Sequence, residues 1–425
     1  MSLAIALACK KAFLAPRNSN LVVIVAPKLL ERYEKVATAL KEDGVKVIFL
    51  TGENLPEPPQ WAAEMHFFKS VEESLYLACR YNPIAYHVFC NWDFTVALAL
   101  TYFHPGPVVI DNYDVLYGMV VDEREDFVPL RRDEYLAMTL ADGHACRCLE
   151  TQVLNRMGGP LRGVRGFFPD GCWNRQKIKS PVKRKPGEFH LVYEGNVEPD
   201  FFNQNERLNY HPWLANRCRE QRIHYHLYPS NFPADGSYDK IYASFIELDR
   251  KSEYFHLYHT LPIAELLPRL SQYDAGIFMT GFDHSLPSNS YNLNKHKYAT
   301  ANKIFDYYEA GLPTIIFGAW FLSALMDRYG GNVTLKLENL SNLREVLENA
   351  DWKTLRAGAL RAREVFDYRK MGPRLKIFYK KAAEVADQDK VSTSYTQQSG
   401  QATGRQHRHR DLTERGSQSL LDPNH

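Results

Sequence analysis

Along most of this chain, short apolar runs of strand length alternate with amphipathic stretches of helical length. That alternation limits the available folds more than any other feature. The runs at 21–26 (LVVIVA), 45–50 (VKVIFL), 84–90 (IAYHVFC) and 107–111 (PVVID) are nearly continuous in apolar residues. Strands that read this way are buried on both faces, which requires helices above and below a parallel sheet. The intervening segments supply them. Residues 29–41 place Leu30, Tyr33, Val36, Ala37 and Leu40 at helical spacing, and Gly44 ends that helix. A capping box, Ser70 with Glu73, opens a helix over 70–81. Helices are also predicted at 94–103, 133–141 and 150–157, with a short strand at 144–148; Gly158, Gly159 and Pro160 stop the last of these helices.

The rhythm breaks at 171–187, which is basic, holds Pro181, Pro186 and Gly187, and has no apolar period. It reads as a solvated interdomain linker, with a basic phosphate-binding loop as the alternative. A second series follows. Strands are predicted at 189–193, 223–228, 275–279 and 313–317, and helices at 207–219, 263–271, 302–310, 320–328 and 342–350. The helical stretch 352–386 is long enough to pack back across both halves. The expected fold class is therefore α/β: two Rossmann-like, doubly wound domains facing each other across a cleft, at 1–170 and 188–350, with C-terminal helices at 351–386. Ligands in such sheets sit outside the carboxyl ends of the strands. From 387 to 425 Ser, Thr, Gln, Gly, Arg and His dominate, too little apolar area to offset chain entropy, and a disordered tail is expected. The HRHR run at 407–410 is read as part of that tail rather than as a metal or nucleic-acid site.

Lys and Arg total 52 against 50 Asp and Glu, a formal charge of +2. This balance argues against a nucleic-acid partner, which calls for a concentrated basic face, but it leaves an anionic small molecule open. The seven cysteines are odd in number, irregularly spaced and without a CxxC pair, which reads as reduced thiols. At the N-terminus the apolar run is short and Lys10 and Lys11 follow it, the reverse of a signal peptide. No stretch approaches 18 uninterrupted apolar residues. A cytoplasmic location is expected, with peripheral membrane association left open. Nucleotide-binding glycine fingerprints, a nucleophile elbow and the zincin motif are all missing, so dehydrogenase, NTPase, hydrolase and zincin readings lack support.

The segment 273–317 carries the chemistry. A strand (DAGIFM) runs into a polar loop, and the loop enters a helix that begins ANKIFDYYEAG. Lys303 and Asp306 are three apart, on adjoining positions of one face. The amino end of that helix faces the strand carboxyl ends, where free N–H groups and the dipole favour a phosphate. Lys303 adds positive charge, and Asp306 can accept hydrogen bonds from a ribose diol. The plainer reading is a surface Lys–Asp pair on a crossover helix.

The run 302–313 resembles the "K-L-F-E-Y-x-A-x-G-x-P" signature of retaining GT-B glycosyltransferases of the "group 1" kind. YDAGIFM resembles that family's "ADVGI" strand, and HTLPIAELLPRL its "h-x-P-x-x-x-L-x-x-x-L" helix. LVYEGN is similar to the strand opening the family's second domain, and VVIDNYD and EYLAMTLADGHACRCLETQVL to segments of its first. The likeness spans roughly 20–385 in order. It implies a GT-B fold, a nucleotide-sugar donor held mainly by the second domain, and a glycan or lipid-linked acceptor held mainly by the first. It implies a glycosyltransferase acting with retention, no protein nucleophile and no metal or other cofactor. The alternatives are a GT-B nucleotide-sugar epimerase and a non-catalytic partner protein that binds a nucleotide sugar.

Carried over by position, Asp306 stands where the family's second motif Glu meets the donor ribose, and Lys303 at the family's Lys. The motif's first Glu falls on Tyr298; Asn292, Asn294 or Lys295 stand near enough to substitute. Asn302, Gly195, Asn196 and Arg207 complete the expected donor set, Arg207 being the only basic residue near the end of the second domain's first strand. Where the family often has a glycine-rich loop after its first strand, this chain has Pro27-Lys28.

Asp111 and Asp114 (DNYD) end a first-domain strand and are expected to face the cleft, orienting the acceptor or taking its proton. For Asp114 a capping or loop carboxylate fits as well. Asp93 reads as an N-cap, Trp92 as a packed ring or a sugar-stacking one, and His87 as packed inside its strand. His224 and His226 share one strand face, a pairing that suits a metal. With no third ligand evident, they read as a structural pair.

Overall fold

The computed structural model describes residues 3–90, 93–116, 127–158, 161–175, 177–179, 182, 185–197, 210–230, 238–280 and 297–398. Two wholly parallel sheets organise it. The first is built from β1 (Asn18–Ala26), β2 (Lys46–Thr51), β3 (Glu64–Phe67), β4 (Pro83–Cys90), β5 (Val108–Asn112), β6 (Gly143–Cys146) and β7 (Val164–Phe167) in the order β3-β2-β1-β4-β5-β6-β7. The second is built from β8 (His190–Gly195), β9 (His224–Pro229), β10 (Phe255–Leu257), β11 (Ala275–Met279), β12 (Thr314–Phe317) and β13 (Asn332–Leu335) in the order β10-β9-β8-β11-β12-β13. Each is a doubly wound sheet whose strand order reverses once, at β1/β4 and at β8/β11. Those reversals open the crevices where ligands bind.

The side-chain period of two explains why both faces fill. In the first sheet Val23, Val25, Ile48 and Ile110 pack on one side against the helices Val71–Ala78 and Thr95–Phe103. Val22, Ile24, Phe49 and Val109 pack on the other, against Glu31–Glu42 and Met371–Gln398. At about 25 cal/mol per Å² of apolar surface, such double-sided burial is the main driving term for folding.

The structure departs from the sequence pattern at the edges. β3, β7, β10 and β13 are the outermost strands of the two sheets, have three or four residues, and carry polar residues such as Glu64, Arg165 and Thr334. An outer strand has one neighbour and partial exposure, so the continuous apolar signature is lost. The strand expected at 144–148 ends at Cys146, and the helix expected from 207 begins at His211 with Pro212 in its first turn.

The stretch 171–175 is not a solvated linker. Cys172 is buried and bridges to Asp367, and the Asn174 and Arg175 N–H groups donate to the Glu309 carboxylate at 2.6 and 3.2 Å. Here the chain passes to the second sheet, and it passes back through Phe366–Met371. The helix Trp352–Val365 packs on the second domain's helix Asn302–Glu309, and Met371–Gln398 packs on the first domain, with the Tyr368 hydroxyl donating to the Lys35 carbonyl. This last helix continues beyond Asp387, where the composition suggested disorder, to Gln398; 399–425, including the HRHR run, lie outside the described residues. The N-terminal residues form the helix Leu3–Leu14, packed on Val71–Ala78.

Two buried histidines tie stability to pH. Burial pushes His144, whose Nε2 faces the Arg162 carbonyl, down to about 4; burial, with Lys303 nearby, pushes His211 down to about 3. Both folded values lie below that of an exposed histidine, so the unfolded chain binds more protons as pH falls. Their stabilising effect is complete above pH ~6.5 and is lost on the way down through 4 and 3, at up to about 1.4 kcal/mol per pH unit for each group. The urea midpoint should therefore fall steadily below pH 6.5, and His211→Asn should reduce that slope. An unchanged slope would show that His211 is protonated in the fold.

Candidate functional site

At the β8/β11 reversal, Tyr193, Glu194 and Gly195 close β8 and Phe278 and Met279 close β11. The helix Asn302–Glu309 begins opposite them. Lys303 Nζ sits above the Tyr193 ring at 5.0 Å and the Phe278 ring at 5.1 Å, two cation–π contacts that span the crevice. Gly195 makes room for it. Its φ is +127°, in the region that favours glycine, and a Cβ there would stand 2.6 Å from Lys303 Cε.

The electrostatics around Lys303 are unusual. Glu194 is 7% exposed, and its Oε1 has no hydrogen-bond partner among the described residues. Burial raises its carboxyl above the usual range, with Lys303 opposing. Burial raises Asp306 further, and the Glu194 charge adds to it while Lys35 opposes. Lys303 is lowered by burial, against the pull of Glu194 and Asp306. Lys35 comes from the first domain's helix Glu31–Glu42, where it pairs with Glu31 at 2.8 Å. Burial would lower it, yet Asp306 and Glu31 together hold it above its ordinary value. Two acids and two ammonium groups thus meet across the two domains, Glu194 and Lys35 buried and Lys303 and Asp306 half-buried. Charges held there act more strongly than in water.

The first domain's wall is a buried ion network. Arg32 grips Asp111 through two bonds of 2.8 and 2.9 Å and reaches Asp170 at 3.0 Å. Arg147 joins Asp170 at 3.4 Å, Asp114 at 3.1 Å and the second domain's Asn302 at 2.9 Å, and stacks over the Tyr113 ring. Asn302 also donates to the Tyr113 hydroxyl at 2.8 Å. Asn302 therefore fastens the start of the 302–309 helix to the first domain.

The site residues read from sequence fall into three groups. Lys303, Asp306 and Gly195 come together. Asn302 stands at the domain seam, and Asn196 is exposed just beyond β8, its carbonyl accepting from the Tyr193 hydroxyl at 2.9 Å. Asp111 does not face the cleft: it is fully buried beneath Arg32 and His87, and those partners hold its carboxyl below the usual range although burial pushes it up. Asp114 is nearer the surface but is paired with Arg147. Tyr298 is 5% exposed and packs edge-on against Trp320 at 6.4 Å, while its carbonyl accepts from the Leu149 N–H. Arg207, Asn292, Asn294, Lys295 and Trp92 lie outside the described residues.

A cavity of about 720 Å³ opens at this seam, lined by Leu149 and Gln152 of the first domain and Lys297, Tyr298 and Trp320 of the second. A glycine does stand beside the end of β1, just after β2. Gly52 lies so close to Pro27 that a Cβ would stand 2.8 Å from the Pro27 carbonyl oxygen. Glu194, Lys35, Arg32 and Arg147 were not singled out from the sequence. The available signal was an acid beside the glycine at a strand end. His87 is packed, as expected, between Tyr379 at 2.6 Å and Asp111 at 3.2 Å. Asp93 accepts from the Thr95 N–H at 2.9 Å.

No family profile and no curated protein matches this sequence. Solved structures do match. The sucrose-phosphate synthase of Thermosynechococcus elongatus aligns with a TM-score of 0.58 at 11% identity, over 85% of this chain and 98% of that one. The Anabaena HepE protein in complex with UDP-glucose aligns at 0.57 and 11% identity, over 84% and 98%. A glycosyltransferase from Rickettsia africae aligns at 0.60 and 10% identity, over 86% and 99%. The chain therefore has the GT-B fold, the two-domain architecture of these glycosyltransferases. Among the described residues, no helix is long and apolar enough to cross a membrane.

Proposed function

We propose that this protein is a glycosyltransferase that moves a sugar, with retention, from a nucleoside-diphosphate sugar to an acceptor in the interdomain groove. The observation that carries the reading is the Lys303–Glu194–Asp306 cluster at the β8/β11 reversal, where an ammonium group and a helix amino end converge. As the glycosidic bond to the donor breaks, negative charge builds on the departing diphosphate. Fixed positive groups that meet it are the main catalytic lever. Lys303 and the N–H groups of the 302–309 helix hold the diphosphate, and Asp306 accepts from the ribose hydroxyls. Ligand hydroxyl donors would draw Asp306 back to its ionised form. Glu194 Oε1, without a partner among the described residues, would take a hydroxyl of the donor.

On the acceptor side, Asp114 and Arg147 line the seam. The 720 Å³ cavity offers Trp320, 58% exposed, as a stacking face for a saccharide ring, with Gln152 and Lys297 beside it. Asp111 acts as a positioning residue: it fixes Arg32, Arg32 fixes Asp170, and Asp170 holds Arg147. Holding donor and acceptor together supplies the remaining rate advantage. A donor-binding partner without turnover is the second reading, favoured by Tyr298, whose ring packs on Trp320 at the position of the family's first motif Glu.

A thermal-shift screen against UDP-, GDP- and ADP-sugars tests the reading, beginning with UDP-glucose, the ligand in the HepE complex. Any hit is followed by an assay for release of free nucleoside diphosphate. Binding with release supports the transferase. Binding without release supports the partner, a changed sugar on donor alone supports an epimerase, and no binding at all overturns the reading.

A further inference from the structure

We propose that Glu188, His190 and His224 form a binding site for a divalent transition metal, Zn²⁺ in the first place, at the amino edge of the second sheet. His224 and His226 alternate along β9, and the strand register sets His190 of β8 beside His224 and His256 of β10 beside His226. One ligand atom from each of Glu188, His190 and His224 lies within 4.8 Å of the others. The third ligand that the sequence did not reveal is thus supplied by the neighbouring strand, with a carboxylate two residues before it. All three residues are half-buried, within reach of an ion from solvent.

Imidazole and carboxylate together suit zinc, and three protein ligands leave a fourth position for water. Metal-bound histidines usually have their other ring nitrogen held by a partner. Both do here. His190 Nδ1 lies 2.7 Å from His226 Nε2, and His226 Nδ1 lies 3.0 Å from the Tyr258 hydroxyl. His224 Nδ1 lies 3.0 Å from His256 Nε2.

The 2.9 Å contact between His190 Nε2 and Glu188 is bridged by a proton where a bound metal would stand. Tautomerisation of both rings, so that His190 Nδ1–H donates to His226 Nε2 and His226 Nδ1–H donates to the Tyr258 oxygen, frees the His190 Nε2 lone pair. No proton is gained or lost in that shift. The rings also stack closely, His190 on His224 at 4.3 Å and His226 on His256 at 4.4 Å. Charging several of them at once would be costly. Neutral imidazoles with available lone pairs are the state a metal needs.

β8 runs from His190 to Gly195, so the proposed site stands about 16 Å along the strand from the donor cluster. It does not share residues with the proposed transferase site and does not depend on that reading. A bound ion would cross-link β8 to β9 and stabilise the second domain by mass action.

The test uses the full chain, stripped with chelator and titrated with Zn²⁺ by calorimetry, with the unfolding temperature read in parallel. One equivalent should bind and raise the unfolding temperature. The double variant His190→Gln, His224→Gln should lose more affinity than the ~10–100-fold that removal of an outer partner costs. His407→Gln with His409→Gln, in the HRHR run, should leave the equivalent in place. Should the double variant fail to fold, Glu188→Gln gives the same readout as weakened binding. The proposal is overturned if the parent binds no zinc, if the equivalent survives both losses at 188, 190 and 224, or if it vanishes with the tail histidines.

Discussion

Arg32→Met should destabilise the protein by about 3–5 kcal/mol, because it leaves the buried Asp111 carboxylate without its guanidinium counter-charge and Asp170 with only Arg147. Asp111 has no exposed surface and Asp170 is 4% exposed, and Arg32 bonds both. It also donates to the Phe168 carbonyl at 2.9 Å, next to the crossing segment. Removing the guanidinium exposes Asp111 to the full cost of burial, so its carboxyl should rise from below the usual range and take up a proton. The loss should then be smaller in acid, where the unpaired carboxylates are neutral, and larger at neutral pH. Urea unfolding at two pH values reads both. Arg32→Lys keeps the charge but not the fork of two parallel bonds, and should fall between the parent and the methionine variant. Adding Asp111→Asn to Arg32→Met should recover part of the loss, since one orphaned charge disappears. A loss below about 1 kcal/mol in Arg32→Met would mean that water reaches the pair.

This network also shows where sequence reading stops. The central strands were legible because residues such as Val22 to Ala26 are apolar at every position, and only burial on both faces explains that. The outer strands were not, because Glu64 and Arg165 sit at edges where polar residues are tolerated. Lys303, Asp306 and Gly195 lie in segments whose local pattern points at a ligand: a strand end, a loop and a helix start. Arg32 and Lys35 had no such signal. They occupy the polar face of an amphipathic helix, where charges are usually solvated; Asp111 and Asp170, distant in sequence, cover Arg32, and Tyr368 and the second domain's Asp306 close over Lys35. Glu194 was visible as a strand end, but its lost partner and its proximity to Lys303 are tertiary facts. Asp111 failed for the opposite reason. A carboxylate at a strand end reads as a cleft residue unless a long side chain 79 positions away covers it. The histidine cluster was half legible, since alternation within β9 is local whereas the pairing of β8 with β9 is not.

Lys303→Met and Asp306→Asn should damage donor turnover in different ways, and that difference is the sharpest test of the site. Lys303 is held where burial disfavours its charge, against two acids raised above their usual range. Such an arrangement costs stability, so removing the ammonium should leave the unfolding temperature within about 3 °C of the parent. Glu194 and Asp306 need only protonate to tolerate the loss. In the proposed reaction the diphosphate gains its extra charge as the sugar departs, so Lys303 would interact more strongly with the transition state than with bound donor. Its loss should lower kcat by roughly 10²–10³-fold, with KM changed far less. The ribose contact proposed for Asp306 would be the same before and during reaction. Asp306→Asn should therefore raise KM for the donor and leave kcat nearly intact, the mark of uniform binding. Equal effects on kcat and KM in both variants would mean that the two side chains act as one structural unit. A Lys303→Met enzyme within about fivefold of the parent in kcat would place the diphosphate elsewhere, since removing a true charge-stabilising donor costs far more.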